Sequence, residues 1–61
     1  MKRVDLLRFL IKRGCFVRRE GGRHTVIFNP LNNQMTSIPR HREINEDLSK
    51  KICRDLGLRL T

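Results

Sequence analysis

The chain has 61 residues, with fourteen lysines and arginines against six acidic residues and a net charge of +8. A domain this small buries only about 60% of the surface its unfolded chain exposes, which excludes a deep substrate cavity and puts any site on the surface. The charge points to a polyanion, with nucleic acid ahead of an acidic protein, and the three aromatics are all Phe, so no Trp or Tyr stacking platform exists.

Further classes drop out. No run of about 18 apolar residues is present to span a membrane. The opening "MKRVDLLRFL" is interrupted by Asp5 and Arg8 and is followed by no small-residue cleavage site, so it does not read as a signal peptide. A cytoplasmic protein is expected. With 38% hydrophobic and 33% charged residues and neither repeats nor a linker, one folded domain over residues 1–61 is expected. Cys15 and Cys53 are too few for a disulfide framework and read as reduced, small apolar residues.

Val4, Leu7 and Ile11 follow the helical i, i+3, i+7 spacing, with Leu6 and Leu10 widening the stripe and Asp5, Arg8 and Lys12 opposite. Gly14 follows as a C-terminal glycine should, so a first helix is predicted over about residues 3–13. Phe9 lies among the polar positions and is expected at the edge of the core. "CFVRRE" and "HTVIFN" are β-rich runs separated by Gly21-Gly22-Arg23, short enough for a hairpin. "NPLNN" is a turn cluster, and "QMTSI" is a third strand stopped by Pro39. Asn45 is an N-cap with Glu46 and Asp47 in the first turn. Leu48, Ile52 and Leu56 form the stripe of a second helix that Gly57 ends, with Lys50, Lys51 and Arg54 on or near its other side. The expected fold is α+β, in the order α-β-β-β-α: a three-stranded antiparallel sheet with two helices on one face. The other face stays wet and is the candidate ligand surface.

His24 opens the second strand at the glycine turn. A free imidazole titrates near pH ~6.5 and can take or give a proton near neutrality. Alternation puts His24, Val26 and Phe28 on one face and Thr25 and Ile27 on the other. Either set could be the core, so the imidazole's direction stays open. By residue type alone, an ordinary surface or turn histidine is the simpler reading. Cys15, His24, His41 and Cys53 are separated by eight, sixteen and eleven residues, which matches no zinc-ligand spacing, so no metal is expected. "RREGGR" joins Arg18, Arg19 and Arg23 to a turn where Gly22 lets a phosphate approach the backbone. "IPRHRE" brings Arg40, His41 and Arg42 to the connection before the second helix, where an anion is also favoured. For both segments the plain alternative is solvated charge. No nucleotide-binding loop and no serine-histidine-acid set is present.

Taken together, the Gly-X-His turn opening the second strand, the "IPRHREI" feeding a helix that closes "CRDLGL", and the opening helix followed by glycine and "CFV" resemble the HicA family of toxin–antitoxin ribonucleases over essentially the whole chain. The resemblance implies a double-stranded-RNA-binding-domain-like fold and an endoribonuclease, a hydrolase that cleaves mRNA and needs no cofactor. It implies a HicB-type antitoxin as partner. It also implies His24 as the catalytic residue, because Gly22-Arg23-His24 stands where the family carries a Gly-Ser-His turn. Arginine replaces serine there. Arg40 and His41 acquire a substrate or structural role. Whether His24 is the base toward the 2′-hydroxyl or the acid toward the leaving 5′-oxygen is left open, with His41 the first candidate for the other group. The competing reading is a basic domain that holds RNA and cuts nothing.

Overall fold

The computed structural model describes residues 1–60. The order is α1 (Arg3–Lys12), β1 (Phe16–Glu20), β2 (His24–Asn29), β3 (Gln34–Pro39) and α2 (Glu46–Asp55). The three strands form one antiparallel meander, β1-β2-β3. This is the expected α-β-β-β-α architecture.

Both helices end by the same device. After α1, Gly14 takes φ +93°, its N–H bonds the carbonyl of Ile11, and the N–H of Cys15 bonds that of Leu10. After α2, Gly57 takes φ +73°, with the Gly57 and Leu58 N–H groups on the carbonyls of Arg54 and Cys53. These paired bonds satisfy carbonyls that a helix end would otherwise orphan, and only glycine adopts the left-handed turn at little steric cost. At the start of α2, the Asn45 side-chain oxygen accepts from the Leu48 N–H at 2.8 Å, as its position predicts.

The core lies between the helices and one face of the sheet. Leu6 and Leu10 from α1, Ile52, Cys53 and Leu56 at α2, and Ile27 and Ile38 from the strands are all buried in one cluster with Cys15 and Ile44. Phe9 packs against its edge, with the Arg13 guanidinium 3.7 Å from its ring centroid. The inward stripe of α1 keeps Leu6, Leu10 and the partly buried Leu7 of the set the spacing predicts, and leaves out Val4 and Ile11. Leu6 and Leu10 are fully buried, whereas Val4 and Ile11 are 53% and 55% exposed. Arg3, Leu6 and Leu10 make the inward row, and Arg3 bonds the hydroxyl of Thr25 on β2. The apolar residues at positions 4, 6, 7, 9, 10 and 11 cover more than half of the helix and leave only the side of Asp5, Arg8 and Lys12 polar, so periodicity excludes that side without selecting the inward row within the apolar arc.

Pro39 is the last residue of β3 and pairs with His24, rather than lying beyond the strand. An edge strand tolerates it, because the missing N–H faces away from β2. Cys15, expected to start β1, instead occupies the turn after α1. The turn between β2 and β3 is tied to α2: Asn29 and Asn32 side chains both donate to the carbonyl of Leu56, at 2.9 and 3.0 Å.

Candidate nucleic-acid interface

Thr25, Ile27 and Asn29 of β2 are buried under the helices, while His24 is exposed and Val26 and Phe28 are half-buried on the open face. The open face therefore carries the histidine, and two polar residues occupy the covered one. Alternation could not decide this from residue type, because Thr25 and Asn29 are buried through specific hydrogen bonds rather than through apolarity.

The hairpin between β1 and β2 closes tightly beneath His24. The Gly21 N–H donates to the His24 carbonyl at 2.8 Å, and a Cβ at Gly21 would sit 3.0 Å from that oxygen. Glycine is thus favoured at 21 by close approach. At Gly22 an added Cβ would meet open space, so this position leaves the backbone accessible without being forced to be glycine. On the far side, the Arg40 N–H bonds the Arg23 carbonyl at 3.2 Å, extending the β2–β3 ladder past Pro39.

Arg40 then folds its side chain back over the hairpin. Its Nη1 donates to the Gly21 carbonyl at 3.1 Å and to Glu20 Oε2 at 3.3 Å. Glu20 Oε1 accepts from the Thr25 hydroxyl at 2.7 Å, and that hydroxyl accepts from Arg3. A chain of contacts, Arg3 to Thr25 to Glu20 to Arg40, runs from the first helix to the site. Arg40 and Glu20 are each about half exposed, so their pair adds at most about 1 kcal/mol of stability. Its effect is to fix where the guanidinium stands.

The result is a shallow depression of about 360 Å³ lined by Gly22, Arg23, His24, Pro39, Arg40 and His41. Five of the residues singled out in the sequence thus meet, including both histidines. The others lie nearby in separate places. Arg18 and Arg19 line an adjoining hollow on the open face of the sheet with Val26 and Met35. A bulge between Val17 and Arg19 makes this possible. An unbroken strand would send consecutive residues to opposite faces, whereas the extra residue lets both arginines serve one side. Arg18 also lies 5.0 Å from the Phe28 ring centroid, a cation–π contact. Arg42 is on the other side of Arg40, in a depression shared with Lys2, Arg3 and Val4. Glu20 and Arg3 are the residues that sequence reasoning passed over. Their role depends on long-range contacts that no local pattern signals.

Cys15 and Cys53 are free and buried, and burial raises both thiols above their ordinary value, which keeps them protonated and inert at neutral pH. Among the described residues, no three His, Cys, Asp or Glu side chains gather to hold a metal ion. Among the same residues, no helix is long and apolar enough to cross a membrane.

Against known families, the model described as the HicA toxin of bacterial toxin–antitoxin matches residues 4–58. No curated protein and no solved structure gives a significant match.

Proposed function

The chain belongs to the HicA toxin family of bacterial toxin–antitoxin systems, and from that premise we propose that it is a metal-independent endoribonuclease that cleaves mRNA with His24 and is neutralised by a HicB-type antitoxin. The observation that carries this reading is the shared depression, where exposed His24 and His41 meet Arg23 and Arg40. Two imidazoles and two guanidiniums are side chains suited to cleavage of RNA by its own 2′-hydroxyl.

In this chemistry one imidazole removes the 2′-hydroxyl proton, and the freed oxygen attacks the adjacent phosphorus. The bond from phosphorus to the 5′-oxygen breaks. The other imidazole gives the leaving oxygen a proton, and a 2′,3′-cyclic phosphate remains. His24 and His41 divide these two transfers. Arg23 and Arg40 offset the charge that builds on the phosphoryl oxygens. DNA is spared because it lacks the 2′-hydroxyl. The arginines of the adjoining hollow, Arg18 and Arg19, hold flanking phosphates without reading sequence. A basic surface of this kind also suits an acidic antitoxin.

His24→Ala tests the reading. The side chain is exposed, so its loss should leave the fold intact by circular dichroism and RNA binding nearly unchanged. Cleavage should fall by about 10²–10⁴, the usual contribution of a proton-transfer group, and should be unaffected by chelator in the wild type. His41→Ala should fall comparably. Purified His24→Ala protein that cuts RNA at the wild-type rate would overturn the assignment.

A further inference from the structure

We propose that the depression beside the start of α1 is a second phosphate subsite, which holds the RNA backbone beyond the phosphate that is cut. This rests on the ribonuclease reading and extends it to residues outside the His24 site. The depression measures about 440 Å³ and is lined by Lys2, Arg3, Val4, Arg40 and Arg42. Four of these five residues are cations. Arg40 also lines the His24 depression, so the two hollows share a wall and a strand leaving one can enter the other.

Backbone pairing, not counter-charge, brings Lys2 and Arg3 beside Arg42, while Glu20 fixes Arg40. Lys2 bridges Glu43 in antiparallel fashion. The Arg3 N–H bonds the Arg42 carbonyl at 2.9 Å, and the Ile44 N–H bonds the Met1 carbonyl at 2.8 Å. These bonds force residues 2 and 3 alongside residue 42. The nearby acids are engaged elsewhere. Glu43 pairs with the terminal amine at 3.7 Å, and Glu20 pairs with Arg40 from the hairpin side. Among the described residues, neither Lys2 nor Arg42 has an acidic partner within 4.0 Å. The Arg3 Nε is a buried donor with no acceptor. Lys2 and Arg42, brought together with Arg3 and Arg40 and lacking an acidic partner, add repulsion that a bound anion relieves. A phosphodiester strand is the anion that supplies charge at a regular spacing across two hollows joined at Arg40.

The test is a Lys2→Gln/Arg42→Gln double variant, which keeps the main-chain bonds and changes only exposed side chains. Uncleavable 2′-O-methyl RNA serves as the probe, as a dodecanucleotide and as a trinucleotide. The variant should bind the dodecanucleotide roughly tenfold more weakly, and the slope of log affinity against log salt should shrink by about 0.7–1.4, the counterions of one or two phosphates. Its affinity for the trinucleotide and its melting temperature should match the wild type. Should the melting temperature fall, Lys2→Gln alone is expected to give about half the loss on the long strand. Unchanged dodecanucleotide affinity and slope, in a wild type that binds it, would sink the subsite and spare the nuclease reading. A wild type that does not bind the dodecanucleotide at all would sink both. Equal losses on both probes would make these cations part of the His24 site. A loss toward polyglutamate with none toward RNA would make the depression a protein-docking surface. Each of those two results overturns the subsite.

Discussion

The two faces of β2 carry different burdens within six residues. On the covered face, Thr25, Ile27 and Asn29 are at most 2% exposed and join the strand to both helices. On the open face, His24 is exposed at the turn, and Val26 and Phe28 support a surface crossed by arginines. Successive side chains of one strand point to opposite sides, so a domain too small for a deep pocket can place its proposed chemistry one residue away from its core. Substitutions on the two faces should therefore fail in different ways.

Ile27→Ala should have the largest effect. The side chain is fully buried at the centre of the core, and its truncation costs about 2–5 kcal/mol. A domain of this length rarely has more than about 3–5 kcal/mol in hand, so the variant should be largely unfolded in chemical denaturation. The neighbouring Val26→Ala, on the open face, should retain a cooperative unfolding transition and lose well under half as much stability. Equal losses at the two positions would break the contrast between the faces.

Thr25→Val probes a place where the two faces are linked. The substitution keeps shape but removes the hydroxyl that bonds both Arg3 and Glu20. Two charged groups lose a partner, at a cost of about 1–3 kcal/mol. Glu20 also steadies Arg40 at the His24 depression. The variant should therefore lose RNA cleavage severalfold, beyond what its stability explains, while RNA affinity changes little. Single-turnover cleavage measured well below the melting temperature checks this. A variant that is less stable but cuts at the wild-type rate would restrict Glu20 to a structural role.

Much of this organisation is readable from local chemistry. Asn45 as a cap, Gly14 and Gly57 as helix ends, the two-glycine hairpin and the asparagine-rich turn each follow from the conformational preferences of a single residue type, and each stands where expected. The inward row of α1 is only partly readable in this way, because its apolar residues span a broad arc opposite Asp5, Arg8 and Lys12, and only the position of the sheet selects Leu6 and Leu10 within it. The direction of His24 is open for a related reason: the covered face of β2 includes Thr25 and Asn29, whose burial depends on partners distant in sequence, Arg3 and Leu56. The meeting of His24 with His41 lies beyond any local pattern, since it requires the β2–β3 register that pairs His24 with Pro39. The bulge that turns Arg18 and Arg19 to one side leaves no mark in residue type.

The smallest expected effect lies on the covered side, at the junction of β3 and α2. Asp55 Oδ2 accepts from Lys51 at 2.9 Å and from the Thr36 hydroxyl at 3.1 Å. The Lys51 hydrogen bond, with help from Thr36 and the nearby cations, lowers the Asp55 carboxyl below its ordinary value of 3.8. A carboxyl lowered in the folded state holds its proton less tightly there than in the unfolded chain. Its stabilisation is therefore present above the unfolded value and is lost as pH falls through the lower, folded value. The wild type should accordingly lose melting temperature on acidification below about pH 4, and Asp55→Asn should flatten that part of the profile while lowering the plateau near neutrality slightly. Because this carboxylate touches the helix-covered assembly and not the His24 depression, RNA affinity near neutral pH should be the same in Asp55→Asn and the wild type. An acid limb just as steep in Asp55→Asn would assign the loss to other carboxylates. A change in RNA affinity would show that the covered side communicates with the open face through more than the Thr25 contact.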